Sequence, residues 1–382
     1  MSYDLIVVGA GPAGSTAARF AAKAGLKVAL IDKRSKIGFP KQCAEGINTH
    51  GMEIPGVKIR KDWISNTIYA GLIGLPGKGG IHIISKEPKG YILERKVFDA
   101  ALADLAADAG ADLIKSSPVV GLEKDNTVVR VKNSKNLKTK IVIGGDGPGS
   151  IVGKTSGLGN PISGIGMQYE IKAESKYPNT LQAYFSRDII DSGYSWVFPK
   201  KDTLNVGIGS YKQEALKAKL DNFVKAVGVK GKILETNGGL IPLHGPLAKF
   251  YSNNVMLVGD AAGHTNPLTG GGIPVGMFDG KLAAKIAIEE LESGKMDFSR
   301  YQDEWWNSKF GWTTKKSLVS SARFLKCLNK GYIDAFLKKV GYIELKSSKD
   351  FPKILYKVMN PWLMFQLFLT AKDFPKIQKY AW

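Results

Sequence analysis

Apolar residues near the start of the chain are grouped in a pattern that predicts a β-α-β unit. Residues 5–8 form an apolar run of strand length, residues 15–24 form an alanine-rich helical stretch, and residues 27–31 form a second apolar run. A glycine-rich turn, residues 9–14, separates the first run from the helix, and Asp32 closes the second run. Strand, glycine turn, helix, strand and acid in this order predict a dinucleotide-binding unit of the Rossmann type.

The glycine turn has the chemistry that a pyrophosphate needs. Gly9 permits the tight turn, Gly11 lets the backbone approach the phosphates, and Gly14 lets the helix pack closely on the strand. The helix N-terminus presents free N–H groups and the positive end of its dipole, and Asp32 is placed to accept hydrogen bonds from ribose hydroxyls. The residues predicted to bind the nucleotide in this first piece of the site are Gly9, Gly11, Ala13, Gly14, Asp32 and Lys33.

A second piece of the predicted site lies further along the chain. A strand at residues 141–144 leads into a turn that contains Asp146 and Gly147. Before it, Arg95 opens an amphipathic helix that ends at Gly110, and this arginine either makes a local salt bridge or reaches the cofactor. The face of this helix that is predicted to be buried carries Val97, Phe98, Ala101, Leu102, Leu105 and Ala109.

The third piece separates FAD from NAD. A strand at residues 253–258 ends in a Gly-Asp turn, and a glycine run then opens a helix that extends to about Leu291. A carboxylate at the strand end suits a polyol chain, and the helix dipole stabilises negative charge on a reduced flavin ring. FAD is therefore the predicted cofactor. The residues predicted to bind it here are Gly259, Asp260, Gly270, Gly271, Gly272 and Ile273.

Residues 166–239, between the second and third pieces, contain short alternating strands. Those at residues 182–186, 194–199 and 204–208 predict an antiparallel sheet that forms one wall of a cleft. Alternation places Tyr194, Trp196 and Phe198 on one face, and we call these three residues the aromatic stripe. Periodicity alone leaves two interpretations open, a wall of the core and an apolar wall for a substrate.

The three nucleotide-binding pieces resemble the FAD-binding motifs of the para-hydroxybenzoate hydroxylase fold group, in the same order and over residues 5–290. The resemblance implies an α/β (α+β) fold, with a Rossmann-like FAD-binding domain, an inserted antiparallel-sheet substrate domain and a C-terminal helical region. The implied FAD-binding domain is discontinuous and comprises residues 1–70, 91–165 and 250–295. Residues 71–90 and 166–249 then form the substrate domain, and residues 296–382 form the helical region.

Two further motifs resemble the geranylgeranyl reductase family. One is the aromatic stripe with Pro199, followed by Gly207-x-Gly209, and the other is residues 40–46, which we call the cysteine loop after Cys43. Ala44 departs from the glycine that many members have there. The resemblance implies an FAD enzyme that saturates prenyl double bonds of a membrane lipid, as in archaeal ether lipid biosynthesis. It leaves two substrates open, an ether phospholipid and a quinone with a prenyl tail. It places Cys43 and Ala44 near the flavin and makes Cys43 the catalytic candidate. The implied substrate-binding residues are Tyr194, Trp196, Phe198, Pro199, Gly207 and Gly209.

Two other functions compete with this interpretation. Flavin-dependent monooxygenases and halogenases share the fold, and halogenases carry a motif similar to residues 194–199; both need oxygen, whereas the reductase does not. Non-catalytic prenyl-binding proteins of the GDP-dissociation inhibitor type also share it, but the intact glycine and acid motifs argue against them. A yellow purified protein would exclude a cofactor-free carrier.

Charge adds candidate partners to this picture. The net charge is +20, and the last 72 residues carry 14 lysine and arginine residues against 4 aspartate and glutamate residues. Such a surface is either merely solvated or attracted to an anionic membrane or an acidic protein, while no nucleic-acid module accompanies it. The electron donor is predicted to be ferredoxin, NAD(P)H or a deazaflavin.

The remaining residues predict the location of the protein and its C-terminal structure. Two cysteines and no secretory leader predict a cytoplasmic protein, with peripheral contact at the inner face of the membrane. The charge-free apolar run 358–371 is too short to span a bilayer, so it predicts a buried or an interfacial helix. The four histidines have no metal-ligand spacing. Aromatic residues after residue 295 either line a lipid tunnel or pack in the core, and they are Trp305, Trp306, Phe310 and Trp312.

Overall fold

The computed structural model describes residues 2–53, 59–347 and 350. Its strands in chain order are β1 Ser2–Val8, β2 Val28–Ile31, β3 Gly46–Asn48, β4 Ile64–Ile68, β5 Ala70–Leu75, β6 Gly79–Ile84, β7 Gly90–Leu93, β8 Asp112–Ile114, β9 Val119–Glu123, β10 Val128–Val131, β11 Leu137–Gly144, β12 Gly164–Lys172, β13 Thr180–Tyr184, β14 Gly193–Pro199, β15 Leu204–Ser210, β16 Lys232–Ile241, β17 Tyr251–Ser252, β18 Val255–Leu257 and β19 Ile343–Leu345. Its α-helices are α1 Pro12–Lys23, α2 Arg95–Asp108, α3 Ile151–Thr155, α4 Lys217–Val227, α5 Ile273–Ser293, α6 Ser299–Asn307, α7 Lys309–Asn329 and α8 Tyr332–Val340.

The first sheet carries the three nucleotide-binding pieces. Its parallel strands lie in the order β18, β11, β1, β2 and β8, with β17 and the hairpin of β9 and β10 at its margin. The central residues of these strands, 5–8, 28–31 and 141–143, are apolar and buried, as expected for a parallel sheet that is covered on both faces. Val8, Ile31, Gly144 and Leu257 are aligned in adjacent strands, so the turns that follow them open at one edge. Ligands bind at this edge in open α/β sheets.

The second sheet has the order β16, β12, β15, β14, β13, β5, β6 and β19. One face packs against α4 through Leu220 and Phe223, and the other face carries the aromatic stripe. The predicted antiparallel strands are present. Two pairs that the sequence did not predict are parallel, β13 with β5 and β19 with β6.

A small third sheet of β3, β7 and β4 packs against α2, where Trp63 and Phe98 meet edge to face at 5.3 Å between ring centroids. The predicted buried face of α2 is right for Phe98 but wrong for Val97, which is 40% exposed. Val97 lies in the first turn, at the rim of the packed interface. The α/β (α+β) fold class is confirmed, and the division into domains stays a prediction.

The C-terminal aromatic residues divide between the core and its margin. Trp305 and Phe310 are buried in the same core as the first sheet, and Trp306 packs against it. Trp305 and Phe310 therefore pack in the core. Trp306 and Trp312 are half-buried, and a tunnel lining stays a prediction for these two residues. The apolar run 358–371 lies outside the described residues. Within the part of the chain that the structure describes, no helix has both the length and the apolar character needed to cross a bilayer.

Candidate site at the carboxyl edge of the first sheet

The first and second pieces of the predicted site touch each other directly. Gly9 has a backbone φ of +98°, which favours glycine, and a Cβ built there would lie 2.3 Å from the carbonyl oxygen of Gly145. A Cβ on Gly14 would lie 1.9 Å from the carbonyl oxygen of Gly9. No side chain fits at either position. The glycine spacing thus lets strand, turn and helix pack in contact, as predicted.

The third piece joins the first through a close helix crossing. A Cβ on Gly280 of α5 would lie 2.2 Å from the carbonyl oxygen of Ala13, and one on Gly276 would lie 3.4 Å from the Ala13 side chain. Gly259 approaches the same alanine, with 3.1 Å between the two Cβ positions. Ala13 is therefore the point at which the first and third pieces meet.

The two helix N-termini are suited to a pyrophosphate and a flavin. A Cβ on Gly11, at the N-cap of α1, would meet no atom within 4 Å, so this position faces open space. Gly272 caps α5, and neither helix has a side-chain cap or an acidic residue in its first turn. Their terminal N–H groups and dipoles are thus available to an anionic group. These features fit FAD.

The acid predicted to bind ribose already has protein partners. The Asp32 carboxylate accepts hydrogen bonds from the Ala10 N–H at 2.7 Å, and from the Arg34 backbone and guanidinium at 2.7–2.8 Å. Burial raises the pKa of Asp32, but Arg34 outweighs it and holds that pKa below the usual value. A ribose hydroxyl that bonds this carboxylate would replace a hydrogen bond from Arg34. Sequence analysis did not identify Arg34 as a partner of Asp32. The neighbouring Lys33 is exposed.

Asp146 and Asp260 are both tied to their own turns. Asp146 accepts hydrogen bonds from the Ser150 hydroxyl at 2.5 Å and the Ile151 N–H at 2.7 Å, so it closes the start of α3. Asp260 accepts one from the Thr265 hydroxyl at 2.6 Å. Burial raises the pKa of both carboxyls. Gly147, with φ of +86°, would carry a Cβ into open space.

A fully buried network fastens the third piece to the helices behind it. Asp279 of α5 accepts hydrogen bonds from the Gly259 N–H at 2.8 Å, the His264 ring at 2.8 Å and the Trp305 indole at 2.7 Å. The His264 and Trp305 rings stack with centroids 3.9 Å apart. This network holds the Gly-Asp turn in place. The sequence signal for this network is Asp279, a single acid among the apolar residues and glycines of residues 273–280.

Arg95 makes the local salt bridge that was one of its two predicted roles. Its guanidinium contacts both oxygens of Asp99, at 2.7 and 2.8 Å. Burial lowers the pKa of Arg95, but Asp99 and then the nearby Cys43 sulphur outweigh burial and raise it. Arg95 therefore stays charged beside the cysteine loop. Its contact with the cofactor stays a prediction.

The aromatic stripe lies on the face of the second sheet opposite α4. Its three rings follow one another along β14, with centroids 5.7 Å apart between Tyr194 and Trp196 and 6.4 Å apart between Trp196 and Phe198. The Trp196 indole lies on Gly207, where a Cβ would come within 2.3 Å of the ring, and it also reaches Gly209. The Gly207-x-Gly209 motif thus leaves room for this indole. Trp196 and Phe198 are 6% and 7% exposed, while Tyr194 is more accessible.

Hydrogen bonds join the stripe to the cysteine loop and to the glycine run of the third piece. The Gln168 side chain accepts one from the Trp196 indole at 3.3 Å and donates one to the Cys43 carbonyl at 2.8 Å. The Tyr194 hydroxyl donates to the Thr269 carbonyl at 2.8 Å. Burial raises the pKa of Tyr194 to about 12, so the phenol stays protonated at neutral pH.

The other predicted residues lie around this junction. Ala44 packs against the Trp196 and Phe198 cluster, and Ile273 packs in the cluster that includes Cys43. The Pro199 carbonyl accepts a hydrogen bond from the Asn66 side chain at 2.9 Å. Gly270 has φ of +73°, and a Cβ there would lie 4.0 Å from the Tyr194 hydroxyl. The stripe, the cysteine loop and the start of α5 therefore meet in one place.

Sequence analysis missed the ionic residues within and beside the cysteine loop. Lys41 and Glu45 have fully buried side chains in an ion pair of 3.0 Å, and Lys200 bonds the same carboxylate at 2.9 Å. The i, i+4 spacing of Lys41 and Glu45 was visible in the sequence. Their burial was not, because Lys200 and the other partners are distant along the chain.

The chain is similar to known proteins in sequence and in fold. The model of the family described as FAD binding domain matches residues 2–304. Digeranylgeranylglycerophospholipid reductase 1 of Methanopyrus kandleri is 37% identical over 331 residues, which cover 80% of this chain and 86% of that protein. A solved structure of a geranylgeranyl bacteriochlorophyll reductase-like protein from Thermoplasma acidophilum has a TM-score of 0.80 at 29% identity, covering 98% of this chain and 99% of that one. A halogenase variant in complex with FAD has a TM-score of 0.67 at 15% identity, covering 88% of this chain and 78% of that one, and this likeness shows the fold alone.

Proposed function

This chain belongs to the digeranylgeranylglycerophospholipid reductases, within the family of the FAD binding domain, and on that premise we infer that it is an FAD-dependent oxidoreductase that saturates double bonds of geranylgeranyl chains on a membrane lipid. The predictions of FAD and of geranylgeranyl reduction are confirmed by these relatives. The likeness to a halogenase is too distant to favour the rival function.

One observation of the structure carries this function. The aromatic stripe, the cysteine loop and the N-terminus of α5 meet through the hydrogen bonds of Gln168 and Tyr194. A helix N-terminus without a side-chain cap suits a flavin, and a wall of aromatic rings suits an isoprenoid chain. This junction is where the redox cofactor and an apolar substrate would meet.

Cys43 is the side chain that we assign to the reacting double bond. Reduced FAD, when bound, supplies the hydride that adds to one alkene carbon, and a proton must reach the other carbon. The Cys43 thiol lies in the loop that Glu45 joins to the start of α2. We assign the donation of that proton to this thiol, which regains a proton from solvent after the product has left. The faces of the aromatic stripe exclude water and would stabilise positive charge at a tertiary carbon.

Replacing Cys43 with alanine should slow alkene reduction by about a hundredfold, because a positioned general acid contributes roughly that much or more. The variant should keep its flavin, because the substitution leaves the glycine turns and helix N-termini that are predicted to hold the cofactor unchanged. Reduction rates and the flavin absorption of the purified protein measure the two effects. Cys327→Ala, at the other free cysteine, is the control and should react normally. Full activity in Cys43→Ala would remove Cys43 from the mechanism.

The function itself is tested by the masses of the products. The protein is reduced with dithionite under anaerobic conditions and incubated with digeranylgeranylglycerophospholipid, and the lipid is then analysed by mass spectrometry. We expect masses that rise in steps of two hydrogens without oxygen. A lipid of unchanged mass, or a product that forms only in air, would contradict the assignment.

We also propose peripheral contact with an anionic membrane surface, on the evidence of the basic last 72 residues. Each lysine or arginine near such a surface contributes about 1 kcal/mol, and salt screens the attraction. The protein should sediment with vesicles that contain phosphatidylglycerol and be released by 1 M salt. Vesicles of phosphatidylcholine alone are the control, and equal binding to both would argue against an electrostatic contact. The identity of the electron donor stays a prediction.

A further inference from the structure

Glu45, two residues after Cys43, has a backbone conformation that L residues rarely adopt. Its φ is +72°, in the left-handed region that favours glycine, and the residue is fully buried. Such a conformation persists only where surrounding contacts hold it, and it concentrates at functional sites. A charged side chain is also costly to bury without partners. The contacts of Glu45 must therefore compensate for both its left-handed backbone conformation and its buried carboxylate.

The Glu45 carboxylate ties the cysteine loop to two other parts of the molecule. One oxygen accepts the backbone N–H of Arg95 at 2.9 Å, so Glu45 binds the first turn of α2. The other oxygen accepts hydrogen bonds from Lys200 at 2.9 Å and from Asn205 at 2.8 Å, both in or beside the second sheet. The same oxygen pairs with Lys41 at 3.0 Å.

The Glu45 backbone is held as firmly as the side chain, and it touches the cysteine. Its carbonyl accepts the Leu93 N–H at 2.8 Å. Its own N–H donates to the Cys43 sulphur at 3.2 Å. The position of the thiol is thus linked to the conformation of Glu45 by one direct bond.

Further ion pairs extend this network beyond Glu45. Lys41 also pairs with Glu170, and Lys200 also pairs with Glu94 at 2.9 Å. Burial lowers the pKa of Lys200, but Glu45 and Glu94 outweigh it and raise that pKa above its usual value. Burial likewise raises the pKa of Glu170, and Lys41 outweighs it and lowers that pKa. Removing one member of a buried ionic network leaves its partners unpaired, which is more disruptive than losing a surface pair.

We propose that Glu45 is a positioning residue, which holds the Cys43 thiol between α2 and the second sheet through this buried ionic network. This positioning role rests on the contacts of Glu45 with Cys43, α2 and the second sheet. Its consequence for alkene reduction rests on the function proposed above.

The test is the reactivity of Cys43 in Glu45→Gln, compared with the wild-type holoenzyme. Iodoacetamide alkylation is followed by peptide mass spectrometry, with Cys327 as the internal reference in the same sample. We expect the alkylation rate of Cys43 to rise or fall at least fivefold. The rate of alkene reduction should fall about thirtyfold, and flavin should remain bound. Glu304→Gln, at a partly exposed acid that pairs with Lys285 on the surface, should leave the Cys43 rate unchanged.

A second variant keeps the test decisive if Glu45→Gln does not fold. Asn205→Ala removes the hydrogen bonds of Asn205 to the Glu45 carboxylate, the Ala44 carbonyl and the Lys41 ammonium. Because all three partners belong to the cysteine loop, Cys43 reactivity should change in the same direction as in Glu45→Gln, by about twofold. Wild-type alkylation rates at Cys43 in the folded variants would overturn the proposal, even if their melting temperatures fall. If Glu45→Gln alters alkylation while Cys43→Ala reduces lipid normally, the positioning stands and the catalytic role of Cys43 fails.

Discussion

Replacement of Gly11 by aspartate should give a folded protein that purifies without flavin and reduces no lipid. A Cβ at this position would meet no atom within 4 Å, so the fold tolerates the new side chain. The carboxylate would lie at the N-terminus of α1, where the pyrophosphate is expected. Two negative charges about 4 Å apart repel by about 4 kcal/mol in a partly exposed site, so the affinity for FAD should fall more than a hundredfold.

The measurements are flavin absorbance per protein chain and FAD titration by fluorescence, beside a melting curve. Ala226→Asp introduces the same side chain at an exposed position on α4 and should bind FAD normally. A Gly11→Asp protein that retains stoichiometric flavin would place the pyrophosphate elsewhere. An unfolded one would contradict the open space at Gly11.

Asp279→Ala should be the most destabilising of the substitutions considered for this protein. It leaves three buried donors without an acceptor, namely the Gly259 N–H, the His264 ring and the Trp305 indole. Each unsatisfied buried group costs about 1–3 kcal/mol, so a loss of about 3–5 kcal/mol is expected, equivalent to a fall of about 10 °C in melting temperature. FAD affinity should fall as well, because the Gly259 turn loses its anchor.

Thermal unfolding of the apoprotein separates this effect from any contribution of the bound cofactor. Glu292→Ala removes an exposed acid from the same helix, α5, and should change the melting temperature little. An Asp279→Ala protein with the wild-type melting temperature would show that water or a rearranged neighbour satisfies these donors.

The nucleotide-binding edge was predictable because its determinants are local. The runs that became β1, α1 and β2 were readable from apolar periodicity, and the glycines between them have the contacts that their spacing implied. Strand, turn and helix then place Gly9, Asp32 and Gly145 at one edge by the geometry of parallel sheets. The close backbone contacts at Gly9 and Gly14, which leave no room for a side chain, explain why glycine is required at these positions.

The partners of the charged groups were not predictable, because they come from distant parts of the chain. Asp32 was expected to face a ribose, and its carboxylate is bound by Arg34. Glu45 lies next to the predicted Cys43, yet its partners at positions 95, 200 and 205 become neighbours only in the folded protein. Sequence periodicity reports which face of an element is apolar, and it carries no information about which elements meet.

The aromatic residues show the same limit. Periodicity placed the stripe on one face of β14, and that placement is right. It left two interpretations open for the later aromatic residues, packing in the core and lining a tunnel. In the structure Trp305 packs in the core of the first sheet, where its indole N–H donates a hydrogen bond to Asp279. A short run of residues 343–345 gave no recognisable strand signal, and its pairing depends on β6 being present.

That last strand has a consequence for how the chain can be divided. The FAD-binding family model ends at residue 304, yet β19 lies beyond it and hydrogen-bonds to β6, closing one margin of the second sheet. An uncovered strand presents unpaired backbone groups that recruit other chains. A protein truncated after residue 304 would therefore expose β6 as an unpaired, aggregation-prone edge strand. If that truncated protein were insoluble, the result would not show that the nucleotide-binding part cannot fold.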